Sequence, residues 1–189
     1  MRCFISAEIP ENIKKQIEEI QKCFGVNKNI RFTSKNNMHI TLRFLGDIDY
    51  KTMKNIDISL EETLRYIRAP EISIEGLDTF PDKNYIKGVW LRLTSRELKN
   101  IKEDIDNIEE MKRCMPDTYS TYRIHATLFR IGKIDSKTRE NIIRETEDLN
   151  RKMKNISFTV DSIELKRSEL KEGGPVYTTI RSYCLKNEN

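Results

Sequence analysis

Apolar residues recur along the chain with two periods, one close to two residues and one close to three and a half, and the alternation between them predicts the elements. Residues 2–9, with Phe4, Ile5, Ala7 and Ile9, predict a strand, and Pro10 then opens a helix where its missing N–H is harmless. Ile13, Ile17, Ile20 and Phe24 recur at helical spacing until Gly25 stops them. Residues 30–33 and 38–45 predict short strands joined through Ser34-Lys-Asn-Asn37, with Gly46-Asp47 ending the second. A less regular helix follows over 50–68, closed by Pro70. Residues 72–80 and 86–93 predict two strands around the turn Pro81-Asp-Lys-Asn84. Thr94-Ser-Arg-Glu97 has the capping-box pattern, and Leu98, Ile101, Ile105 and Ile108 form the apolar stripe of the helix behind it. Pro116-Asp117 and Ser120 mark a loop, 124–131 a strand, Asp135 or Ser136 the cap of a helix to about Met153, and 156–165 and 176–185 the last strands. Strand pairs that follow helices point to an α+β fold, and no linker rich in Pro, Gly or Ser divides it, so residues 1–189 read as one domain.

Composition narrows the class. The 189 residues are 37% hydrophobic and 34% charged, which fits a globular protein and not a disordered one. No stretch approaches the roughly 20 apolar residues of a membrane span. The first residues break their apolar run too early for a signal peptide, so a cytoplasmic location and no membrane partner are expected. Cys3, Cys23, Cys114 and Cys184 form no Cys-x-x-Cys pair and read as small apolar fillers. A net charge of +4 suits anionic ligands but lacks the dense basic stripe of a duplex-DNA binder.

The candidate chemistry lies in the two histidines. His39 opens His39-Ile-Thr-Leu-Arg-Phe-Leu-Gly46 and His125 opens His125-Ala-Thr-Leu-Phe-Arg-Ile-Gly132, so the whole histidine supply sits in two copies of His-x-Thr-Leu. Thr and Leu fill 14 and 13 of the 189 positions, which makes the double match by chance an event on the order of 10⁻⁵. The simplest account is two similar lobes. Strand alternation puts His39 with Thr41 and His125 with Thr127 on one face, while Ile40, Leu42 and Phe44, like Ala126 and Leu128, turn to the core. Facing each other across a cleft, the pairs would supply two imidazoles near neutral pKa and two hydroxyls, the equipment for acid–base catalysis of phosphoryl transfer. Two His without an Asp, Glu or Cys cluster make an incomplete metal shell, so no metal or other cofactor is expected.

The paired motifs resemble those of the 2H phosphoesterase superfamily, and its RNA 2′,3′-cyclic phosphodiesterase branch, also called the 2′-5′ RNA ligase family. The resemblance rests on Met1-Arg-Cys-Phe-Ile-Ser-Ala-Glu-Ile-Pro10, the block from Arg31 to Gly46, His125-Ala-Thr-Leu128, Ser168-Glu-Leu170 and Gly174-Pro-Val-Tyr177. It implies a bilobal fold in which two antiparallel sheets face each other across a central cleft with helices outside. It also implies hydrolysis of the 2′,3′-cyclic phosphate of RNA 3′ ends or nucleosides to a 2′-phosphate without metal, with 2′-5′ ligation as related chemistry. Carried over residue by residue, His39 is the proton donor, His125 the base, and Thr41 and Thr127 hold the phosphate. The second motif departs from the family in placing Phe129, not a small residue, before Arg130. Phe129 shares the His125 face by alternation and either narrows the cleft, stacks on a base or is a core or rim aromatic. Arg43 on the His39 face meets a phosphate or is solvated, Arg130 turns to the opposite face as a structural ion pair, and Tyr177 lines the cleft or packs in its strand. A monomer is expected. The rival from another class is a non-catalytic RNA-end or nucleotide-binding module using the same cleft.

Overall fold

A computed structural model describes residues 1–114, 122–153, 156–172 and 174–186. The elements run β1 Arg2–Glu8, α1 Glu11–Cys23, β2 Ile30–Phe32, β3 His39–Asp47, α2 Tyr50–Leu64, β4 Glu71–Pro81, β5 Ile86–Thr94, α3 Arg96–Asp106, β6 His125–Ile131, α4 Ser136–Asn150, β7 Ile156–Thr159, β8 Ser162–Lys171 and β9 Gly174–Cys184. The expected loop at Pro116-Asp117 and Ser120 lies outside the described residues.

The strands form two antiparallel sheets. The first has the order β3-β1-β8-β9 and the second β2-β6-β5-β4-β7, so each sheet carries one histidine strand. The chain reaches this arrangement by crossing between sheets at both ends. Early β2 joins the second sheet, and late β8 and β9 join the first.

Several boundaries differ from the sequence expectation, α2 ending at Leu64 and not 68, α4 at Asn150 and β8 running on to Lys171, and two of the differences have a clear physical reason. The strand expected over 156–165 is two strands in different sheets: buried Val160 and exposed Asp161 turn the chain from β7, at the edge of the second sheet, to β8 in the middle of the first. The only local mark of that turn is a one-residue change of phase at Asp161-Ser162, from Ile156, Phe158 and Val160 to Ile163 and Leu165. The cap of α3 falls on Ser95, because Thr94 is still paired to Ser73 as the last residue of β5. The Leu98 amide donates to the Ser95 hydroxyl oxygen at 3.1 Å.

The expected stripes are inside. Ile13 and Ile17 of α1 and Leu98, Ile101 and Ile105 of α3, with Ile108 beyond it, are buried in one core with the outer faces of the strands. Of the four cysteines only Cys3 is a buried filler; Cys23 and Cys184 are exposed, and all four are free. Among the described residues no helix is long and apolar enough to cross a membrane.

Candidate active site

β3 and β6 begin at their histidines, and the same local device aims each ring. The His39 Nδ1 lies 2.7 Å from the Asn37 carbonyl oxygen and the His125 Nδ1 2.8 Å from that of Arg123. A carbonyl only accepts, so each Nδ1 carries the proton and each neutral ring has its acceptor lone pair at Nε2. Asn37 is itself tied down, its side-chain amide donating to the Pro175 carbonyl at 2.9 Å. In the sequence Asn37 is only a joint between strands; what orients His39 is its backbone oxygen, for which residue identity gives no signal.

Thr41 Oγ1 lies 3.0 Å from His39 Nε2. Thr127 stands on β6 opposite Trp90, with His125 opposite Arg92 on the same face of the second sheet. The Tyr122 hydroxyl donates to the Thr41 carbonyl at 3.0 Å, tying the approach to β6 onto β3. The two histidines are close enough that charge on His125 disfavours charge on His39.

Aromatic rings wall both histidines. Phe4 is 5.0 Å from His39 and Tyr177 5.2 Å, edge-on at 88°, which places Tyr177 at the site. Trp90 lies 4.5 Å from His125 and Phe80 5.2 Å from Trp90. Burial is the first cause of depressed basicity in both. It brings His39 down to about 4, assisted by the Lys166 ammonium, and it lowers His125, assisted by the Arg130 guanidinium. Lys166 is itself buried and held by Glu8 at 2.5 Å and Glu164 at 3.1 Å.

Beyond the threonines the alternation rule fails in both strands at the same step. On β3 the pairing passes from Thr41 opposite Ser6 to Arg43 opposite Ile5, and on β6 from Thr127 opposite Trp90 to Phe129 opposite Val89. Leu42 and Leu128, each three residues after its histidine, are therefore extra residues, and a β-bulge reverses the facing of the residues that follow, on β3 until a second shift at Leu45. Arg43 accordingly leaves the His39 face and pairs with Asp106 of α3 at 3.1 Å. Phe129 is wholly buried, packed on Phe24 at 4.8 Å and Phe32 at 5.3 Å, and cannot stack on a base. Arg130, expected on the opposite face in an ion pair, is exposed on the His125 face, its guanidinium 5.6 Å from the Phe80 ring. Phe44, expected in the core, is 44% exposed and 6.3 Å from Phe4. The β6 bulge is pinned by buried Gln21 of α1, whose amide donates to the carbonyls of Leu128 at 2.8 Å and Thr33 at 2.9 Å.

Among the described residues no group of three or more His, Cys, Asp or Glu is placed to hold a metal. What the site offers is two imidazoles with acceptor Nε2 atoms, the Thr41 and Thr127 hydroxyls two residues along the same strands and the Arg130 cation, a set suited to proton transfer around an anionic centre.

The LigT like Phosphoesterase family matches residues 7–90 and 93–177, one His-x-Thr in each segment. The chain belongs to this family. A Methanocaldococcus jannaschii relative named RNA 2′,3′-cyclic phosphodiesterase is 32% identical over 186 residues, covering 97% of this chain and 100% of the relative. One of the same name from Methanothermobacter thermautotrophicus is 26% identical, covering 98% and 99%. Among solved structures, a Thermus thermophilus protein superimposes with a TM-score of 0.79 at 22% identity over the whole of both chains. Escherichia coli LigT complexed with 3′-AMP gives 0.70 at 19% identity, covering 97% of each. The two antiparallel sheets with outer helices are thus the fold of LigT-like phosphoesterases.

Proposed function

We propose that this LigT-like phosphoesterase hydrolyses the 2′,3′-cyclic phosphate of RNA 3′ ends and nucleosides, with His39 and His125 as acid and base and without a metal. The observation that carries the reading is the matched pair of rings, each fixed by a carbonyl at Nδ1 so that Nε2 is left as the acceptor. The domain is then two pseudo-symmetric lobes, one motif in each, acting from opposite sides of one phosphorus.

In this mechanism His125 Nε2 takes a proton from the attacking water while protonated His39 gives one to the departing 3′ oxygen. The P–O3′ bond breaks as the new P–O bond forms, leaving a 2′-phosphate. The Thr41 and Thr127 hydroxyls donate to the non-bridging oxygens, where charge builds. A 5′-hydroxyl in place of water makes a 2′-5′ linkage by the same steps. The names of the relatives support the substrate class. The protein acts as a monomer in the cytoplasm.

The deciding experiment incubates the protein with nucleoside 2′,3′-cyclic phosphates in excess EDTA. A 2′-phosphate is expected; a 3′-phosphate, or no turnover until a divalent metal is restored, would overturn the mechanism.

The pH dependence follows from the depressed imidazoles. The base must be neutral and the acid charged, so kcat/KM falls on both sides of the two lowered pKa values, that of His39 at about 4 and that of His125. The expected kcat/KM profile is a bell centred on the acid side of 6.5, the ordinary histidine value. A bound phosphate anion favours the charged rings, so the kcat profile shifts to higher pH. A kcat/KM maximum above pH 8 would contradict this.

A further inference from the structure

Arg31 of β2 and Arg130 of β6 are direct antiparallel partners, so their side chains leave the sheet on one face, and the Leu128 bulge makes that the cleft face. Like charges directly opposite each other destabilise a sheet. Both arginines are exposed, and among the described residues no carboxylate pairs with either; the Arg130 guanidinium rests against the Phe80 ring. The partner of Arg130 on the other side is Gly88, where a Cβ would come within 2.5 Å of Phe80 Cζ. Absence of a side chain there lets the Phe80 ring lie down beside the arginine. From His125 outward the second sheet therefore presents Trp90, then Phe80, then two unneutralised guanidiniums.

That sequence of groups has the chemistry of one nucleotide of single-stranded RNA: a reacting phosphate, a planar nucleoside, and the next phosphate. We propose that Arg31 and Arg130 bind the phosphodiester on the 5′ oxygen of the terminal nucleotide, with its nucleoside against the Trp90–Phe80 shelf. This rests on the proposed function, which puts the cyclic phosphate between the histidines. The arginine pair then makes the enzyme selective for an RNA strand over a free mononucleotide, and Arg31, far from the reacting atoms, acts only through the upstream phosphate.

The test measures binding by calorimetry for three probes: 3′-AMP, adenosine 3′,5′-bisphosphate and the 3′-phosphorylated dinucleotide ApAp. Arg31→Ala is expected to weaken ApAp by about tenfold to a hundredfold and to lower the slope of log affinity against log salt by about 1. Binding of 3′-AMP, which has no 5′ phosphate, shifts less than twofold, and Arg31→Lys recovers part of the loss. Equal weakening of 3′-AMP and ApAp, or unchanged ApAp, would overturn the proposal. Weakening of the bisphosphate with ApAp unchanged would overturn it too, assigning the pair to small nucleotides. Turnover enters none of these comparisons, so failure to hydrolyse a cyclic phosphate would count against the proposed function alone.

Discussion

His39→Ala and His125→Ala are each expected to lower kcat/KM for a nucleoside 2′,3′-cyclic phosphate by about 10²- to 10⁴-fold, the usual contribution of a positioned acid or base. The effect should be nearly as large in either single variant as in the double, because the two rings act on one displacement and removing one leaves the other without its complementary proton transfer. Both histidines are only partly exposed and touch Phe4, Tyr177 or Trp90, so alanine also removes packing. The glutamine variants of the same positions keep most of the volume and separate chemistry from folding: activity should be equally low, with a melting temperature near that of the parent. A double variant that still turns over a cyclic phosphate at the parental rate would end the assignment. A parent protein that binds RNA ending in a 2′,3′-cyclic phosphate and releases no product would identify a binding module.

Much of the fold is legible in the sequence because the underlying rules are local. The helical stripe of Leu98, Ile101 and Ile105 and the Asp135 cap, which accepts from the Thr138 amide at 2.7 Å, depend on residues within two turns of each other. The site's first two residues on each strand obey alternation for the same reason: nothing interrupts the pleat between His39 and Thr41 or between His125 and Thr127. What alternation misses depends on distant partners. The bulges at Leu42 and Leu128 are defined by register against β1 and β5, and one of them is pinned by Gln21, 107 residues away in the chain. A leucine carries no mark of being the extra residue. Because both copies are bulged at the same step, alternation misplaces both in the same direction, exchanging Arg43 with Phe44 and Phe129 with Arg130. Composition gives no common signal either: burying the aromatic favours the bulged phase at Phe129 but the unbroken phase at Phe44, which the bulge leaves 44% exposed.

That exchange yields the other large effect. Phe129 is fully buried between Phe24 and Phe32, so Phe129→Ala should lower unfolding stability by about 3–5 kcal/mol, the range for emptying a buried aromatic site. Urea unfolding should show the midpoint falling with little change in slope. Such a loss is a large part of the roughly 5–15 kcal/mol that holds a domain folded. At low temperature, where the variant remains folded, its affinity for ApAp should be near parental, because Phe129 faces away from the cleft. Arg130→Gln should do the reverse, leaving the urea midpoint in place and weakening ApAp by about tenfold to a hundredfold, the loss of a charge-assisted contact to phosphate. Had alternation continued unbroken through Leu128, the two results would change places: Phe129→Ala would leave stability intact and weaken the ligand, and Arg130→Gln would cost stability by breaking an ion pair. The pair of variants thus reads the bulge directly, since the same one-residue insertion decides which of two adjacent side chains belongs to the core and which to the cleft.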